Sequence, residues 1–194
     1  MRLYLNDTAY IDTQEGFDIS IPMGGKSADA KAWYVDSPTI EPVRANGFVG
    51  SVAEGGSVNF RNIFFNPHGN GTHTECLGHI TKEVYSVNEH LTDFMMEAIL
   101  VSVEPQLLAN GDFIIAAPQL KEAIGGQVAK ALVIRTLPNE LSKVTTNYSS
   151  TNPAYMDVKC SGILDEMGVE HLLIDLPSVD RESDAGVLAM HHAF

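Results

Sequence analysis

The sequence predicts a mixed α/β fold. In its last third the apolar, β-branched run Ala131-Leu132-Val133-Ile134-Arg135-Thr136 reads as a strand, Asp157 to Met167 has helical spacing stopped at Gly168, and His171-Leu172-Leu173-Ile174-Asp175-Leu176 reads as a further strand. That strand, helix, strand order is the α/β pattern. At 194 residues, with 44% hydrophobic and 19% charged side chains, the chain is long enough for one domain over 1–194 with its own core, and its composition is globular.

Taken in order, Phe17-Asp18-Ile19-Ser20-Ile21-Pro22 alternates apolar and polar positions and ends at a proline, so a strand leading into a loop is expected. Residues 23–56 are rich in Gly, Pro, Ser and Ala and are expected to make a long irregular excursion. They hold the single tryptophan, Trp33, beside Tyr34, a pair that either pins the loop to the core or serves a binding site. Val58 to Phe65 reads as a strand that delivers the chain to a His-rich loop at its carboxyl end, where sites often lie. Ala98 to Val103 is another strand, and Pro118 to Ile124 a short helix with Pro118 in its first turn and Gly125-Gly126 closing it. Beyond Leu176, Pro177-Ser178-Val179-Asp180 breaks the regularity, and Ala185 to Phe194 resumes with the adjacent pair His191-His192.

The stretch from His68 to His79, H-G-N-G-T-H-T-E-C-L-G-H, gathers three of the chain's 7 histidines and one carboxylate in a Gly-rich segment. Small residues let the backbone fold tightly, so side chains close in sequence can converge on one point. His73 and Glu75 lie two apart, as on one side of an extended segment. A lone histidine in such a turn is ordinarily a hydrogen-bonding residue, but this concentration points to a metal site, and imidazole with carboxylate suits zinc, manganese or iron. His90 and His171 have the surroundings of ordinary surface or core histidines. Of His191 and His192, neighbours about 100° apart on a helix, at most one faces a common centre. Cys76, inside the motif, reads as packing filler rather than as a nucleophile.

Charge narrows the partners. With 12 basic against 25 acidic residues and a formal net charge of −13, neither a nucleic acid nor an anionic membrane is expected. No apolar run approaches the ~18 residues of a membrane-spanning helix. Cys76 and Cys160 form no disulfide framework, and the opening residues lack the long apolar core of a signal peptide, so a cytoplasmic location is expected.

Three blocks in this order resemble the metal-dependent cyclase-like hydrolase family, which includes bacterial kynurenine formamidases and isatin hydrolases. Gly71-Thr72-His73-x-Glu75-x-x-x-His79 matches the core of the family's H-x-G-T-H-x-D-x-P-x-H. Leu173-Ile174-Asp175 with Pro177-Ser178-Val179-Asp180 and then His191-His192 is similar to its D-x-P-S-V-D and H-H segment, and Asp18-Ile19-Ser20-Ile21-Pro22 resembles its D-L-S-x-P. The resemblance implies a mixed-sheet, swivelling β/β/α-type single domain, as in kynurenine formamidase-like hydrolases. It implies His68, His73, Glu75 and His191 as metal ligands, His79 as general acid/base, and Ser178 and Asp180 as neighbours of the site rather than ligands.

It further implies one or two divalent ions, zinc first and manganese as the alternative, and a homodimer acting on a small molecule. The activity implied is hydrolysis of a small amide by metal-activated water, arylformamidase-like on an N-formylkynurenine type of substrate, with Trp33 and Tyr34 flanking its ring. Two alternatives stay open: a hydrolase or cyclase acting on a lactam, lactone or other small carbonyl compound, and a non-catalytic metal-binding relative.

The sequence departs from the family pattern in four places. Gly69-Asn70 stands where the family has one residue, so His68 lies five positions before His73; Glu75 replaces an aspartate, lengthening the arm by a methylene; Leu77 replaces a proline. Fourth, the family continues past the H-H pair to a further glutamate ligand and closing strands, so a C-terminally truncated domain is expected from an end at Phe194.

Overall fold

A computed structural model describes residues 1–25 and 28–194. The chain begins with a hairpin of β1 (Arg2–Tyr4) and β2 (Tyr10–Asp12), followed by β3 (Thr39–Pro42), β4 (Arg44–Ala45), β5 (Phe48–Val49) and β6 (Arg61–Phe64). β3 pairs antiparallel with β6, and β4 with β5. After the His-rich loop come α1 (Val87–His90), β7 (Ala98–Val103), β8 (Gln106–Leu107), β9 (Phe113–Ile115) and α2 (Ala117–Ile124). The last third holds β10 (Ala131–Thr136), β11 (Tyr155–Met156), α3 (Cys160–Met167), β12 (His171–Ile174) and α4 (Ala189–Ala193).

The architecture is mixed α/β, as expected. β7, β10 and β12 form a parallel sheet with β10 in the centre, Leu132 standing opposite both Ile99 and Leu172. Successive side chains of a strand point to opposite faces, and here Val101 and Val103 of β7 with Leu132 and Ile134 of β10 face the core. They pack against Leu120 and Ile124 of α2, Leu164 and Met167 of α3, and Met190 of α4. Both longer helices end where the sequence predicts, at Gly125 and Gly168, each with left-handed backbone (φ 63° and 69°) that a glycine adopts without a Cβ penalty. β9 pairs with β8 and β11 in a second small sheet.

Three expectations need correction. Phe17 to Pro22 is not a strand: Asp18 takes the Ser20 amide and hydroxyl in a local turn, at 2.9 and 2.6 Å, and the Ile21 amide goes to the Thr72 hydroxyl in place of a strand partner. The excursion over 23–56 is not wholly irregular, since it contains β3, β4 and β5; Lys26 and Ser27 within it lie outside the described residues. The strand expected over Val58 to Phe65 is shortened to β6, because only Arg61 to Phe64 find partners on β3.

Candidate metal centre

The His-rich loop is built by two asparagines. The Asn66 side chain accepts the His68 amide at 3.0 Å, while its main-chain carbonyl accepts the amides of Gly69 and Asn70 at 3.2 and 2.9 Å. Asn70, only 5% exposed, accepts the Asn66 amide at 2.8 Å and donates to the Asp36 carbonyl at 3.0 Å. The extra residue of the first motif is thus absorbed into a closed turn, whose inner member is buried with both its amide oxygen and its amide nitrogen hydrogen-bonded. Gly69 lies against Val35 and the Ala32 carbonyl too closely to admit a Cβ, and Gly71 has φ 107°. Thr72 ties the segment to the N-terminal block by accepting the Ile21 amide at 2.8 Å.

The outcome is four imidazoles around one carboxylate. Glu75 Oε1 lies 2.6 Å from His68 Nδ1, 2.9 Å from His73 Nε2 and 3.6 Å from His79 Nε2; Glu75 Oε2 lies 3.6 Å from His191 Nε2. The His79 ring stacks on His68 with centroids 4.4 Å apart and tilts against His191 at 5.6 Å. His191 arrives from the far end of the chain on α4, while the adjacent His192 is exposed. One of the pair faces the centre and the other does not. His90 contacts Tyr85 and donates from Nδ1 to the Ser86 carbonyl at 3.0 Å, and His171 opens β12, so neither joins the cluster.

Electrostatics follow from this packing. Burial alone would raise the Glu75 carboxyl, but the close imidazoles of His191, His73 and His68 outweigh it and hold the group far below the usual carboxylate range. The adjacent Glu75 carboxylate raises both His73 and His191 against the opposing effect of burial. His79 is lowered, first by burial and then by its imidazole neighbours, despite the pull of Glu75.

The donor set fits a divalent cation on an argument of tautomers. His73 Nδ1 lies 3.0 Å from the Gly71 carbonyl, and His191 Nδ1 lies 2.6 Å from Asp180 Oδ2. Both partners only accept, so each Nδ1 must carry its proton. A neutral imidazole then has a bare lone pair at Nε2, and in both residues that lone pair points at the Glu75 carboxylate, which also only accepts. The conflict is relieved in two ways: by a second proton on each ring or by a cation between them. His68, His73 and Glu75 form one group with ligand atoms within 4.8 Å of one another, and Glu75, His79 and His191 form another. The four residues named as ligands from the sequence therefore converge. His79, the third histidine of the same stretch, converges with them.

Trp33 and Tyr34 sit outside this ring of donors. Both have left-handed backbone, φ 57° and 60°, held by the Ala32 amide on the Gly69 carbonyl (2.9 Å) and the Tyr34 amide on Ser149 Oγ (2.9 Å). The turn that carries them is therefore fastened directly to the loop that carries His68. The Tyr34 hydroxyl donates to Glu182 at 3.2 Å. Cys76 donates its thiol to the Tyr85 carbonyl at 3.2 Å, and its main-chain carbonyl accepts the His79 amide at 2.9 Å.

What sequence reasoning missed is the support around the site. Asp112, buried to 2% exposure, is met by Arg181 at 2.9 and 3.1 Å, by Asn152 at 2.7 Å, and by Tyr155 at 3.0 Å. The Arg181 bonds lead in holding its carboxyl well below the ordinary range. Glu182 accepts the Ser150 and Asn152 amides at 2.5 and 2.8 Å. No local pattern announces these pairs, which join residues 30 to 69 positions apart. The Asn110-Gly111-Asp112 turn signal was the one local cue in the sequence.

This geometry defines an α/β protein with a His/Glu centre able to hold a metal ion. A family model described as Putative cyclase matches residues 17–181, and the chain belongs to that cyclase-like family, which includes the relatives of kynurenine formamidase. No curated protein matches the chain. Among the described residues no helix is long and apolar enough to cross a membrane.

Proposed function

We propose that the protein is a metal-dependent hydrolase of a small amide, arylformamidase-like, with His68, His73, Glu75 and His191 as its metal ligands. The observation that carries the reading is the paired anchoring of His73 and His191 through Nδ1, with both Nε2 atoms turned on one carboxylate. Zinc suits two or three imidazoles with a carboxylate, and manganese is the second choice. When bound, the ion supplies an acidified water and an electrophile for the substrate carbonyl.

The chain's own residues supply the rest. Burial keeps the His79 imidazole neutral near pH 7, ready to accept a proton at a ring nitrogen when water attacks and to return it to the leaving nitrogen. Glu75 stays ionised throughout and supplies the anionic donor beside the neutral imidazoles. Trp33 and Tyr34, on a turn fastened to the His68 loop, are assigned to flank the aromatic ring of an N-formylkynurenine type of substrate. The large area of exposed apolar side chains on and beside β6, including Phe60, Ile63, Phe64 and Phe65, supports a homodimer. A cytoplasmic location accords with two free cysteines.

The test is a screen of zinc-loaded protein against formyl anilides, lactams and lactones. Formyl anilide hydrolysis above the rate on lactams and lactones is expected. Preference for a cyclic substrate would move the assignment to a lactam or lactone hydrolase, and metal binding without turnover would leave a binding protein.

A further inference from the structure

We propose that Asp180 is a positioning residue for His191: its carboxylate holds the imidazole as the Nδ1–H tautomer at a fixed ring angle, so that Nε2 is presented as a bare donor on the Glu75 side. The proposal builds on His191 as a donor of the metal centre proposed above, but the tautomer is a property of the metal-free chain and is tested separately.

The geometry is specific. Asp180 is 8% exposed, and Oδ2 accepts both the His191 ring Nδ1–H at 2.6 Å and the His191 amide at 3.0 Å, while Oδ1 accepts the Met190 amide at 2.7 Å. Three bonds from one short segment leave the carboxylate no freedom to rotate. A helix cap needs only the two amides; the ring contact is additional, and its length is that of a charge-assisted bond.

Asp180 is itself held on both flanks. Its amide donates to Ser178 Oγ at 3.0 Å, the Met156 amide donates to the Val179 carbonyl at 2.9 Å, and Arg181 is locked on buried Asp112. On the other side Met190, fully buried in the core, fixes the first turn of α4. The imidazole is therefore anchored through β11 on one flank and through Met190 on the other, both parts of one core.

The three other rings lack this arrangement. His73 uses a main-chain carbonyl, which orients but carries no charge; His68 directs its Nδ1 at Glu75 itself; the His79 ring makes no hydrogen bond among the described residues, its nearest acid oxygen being 3.6 Å away. A carboxylate behind a ligating imidazole fixes its tautomer and raises its basicity, and loss of such a partner ordinarily costs 10- to 100-fold in metal affinity.

The experiment reads the ¹⁵N shifts of the His191 ring in metal-free protein at alkaline pH, where the imidazole is neutral. The expected result is a protonated Nδ1 and a bare Nε2. A predominant Nε2–H form, which free histidine prefers in water, overturns the proposal. Asp180→Ala should move His191 toward Nε2–H and weaken Zn²⁺ binding about 10- to 100-fold in competition with a chelating dye, with parental circular dichroism. Unchanged tautomer and unchanged Zn²⁺ affinity would make Asp180 a helix cap alone. If the variant does not fold, the tautomer of the parent protein decides. His191→Ala separates the two readings: Zn²⁺ binding equal to the parent's would remove His191 from the metal centre, while a protonated Nδ1 in the parent would still uphold Asp180 as its anchor.

Discussion

His79 is the residue whose surroundings differ most from its neighbours. Its ring is packed between His68 and His191 and lies 3.6 Å from Glu75, yet its proton affinity is lowered where those of His73 and His191 are raised. A neutral, anchor-free imidazole is suited to carrying a proton in both directions. His79→Ala should therefore keep its metal and lose roughly 10²–10⁴-fold in turnover. Metal content and hydrolysis rate on one preparation check this, and joint loss of both would make His79 a ligand. Composition and spacing made His68, His73, Glu75 and His79 legible as a cluster, and the resemblance added His191. The contribution of Asn66 and Asn70 was not legible, because an asparagine that closes a turn looks the same in sequence as one that merely occupies it.

At the scale of elements, the strands over Ala98–Val103 and Ala131–Thr136 and the glycine-stopped helices were readable, since each carries its own periodicity and stop signal. Phe17 to Pro22 was misread because alternation measures amphipathicity, whereas a strand also needs a neighbour to pair with. The short Leu77–His79 turn was not predicted at all. It matters, since it sets the position of His79, and Gly78 within it is pressed on the Tyr85 backbone so that a Cβ would overlap the Tyr85 carbonyl oxygen. Gly78→Ala should lower stability by about 1–3 kcal/mol and displace His79, seen as a drop in thermal midpoint together with reduced turnover. In the core, Leu132 is fully buried at the centre of the parallel sheet. Leu132→Ala should cost about 2–5 kcal/mol in denaturant unfolding without altering the donor set.

For the whole molecule, the histidine centre couples stability, metal and pH. In metal-free protein His73 and His191 have raised values, so their contribution is full below about pH 6.5 and is lost as pH rises through the folded-state values. Glu75 is lowered, so its contribution is present above its ordinary value of 4.5 and lost as pH falls through the folded value. The lowered His79 opposes its neighbours on the acid side, but its contribution is complete above about pH 6.5. Between neutral and alkaline pH the two raised histidines remain the changing groups of the cluster. The thermal midpoint of metal-free protein should fall over that range, and zinc should abolish the fall; a midpoint that rises without metal would contradict these signs.

Assembly belongs to the same scale. One face of the parallel sheet leaves Leu100 61% and Leu173 41% exposed, although parallel sheets are ordinarily covered on both faces. Light scattering should give twice the chain mass for active protein, and an active monomer would remove the dimer.

The central claim is that His68, His73, Glu75 and His191 hold a divalent ion, and metal content per chain tests it most directly. Parent and His73→Ala proteins, both produced with supplied zinc and desalted, are compared by elemental analysis. At least one tightly held zinc per parent chain and markedly less in the variant is the predicted result; equal metal in the two would contradict it.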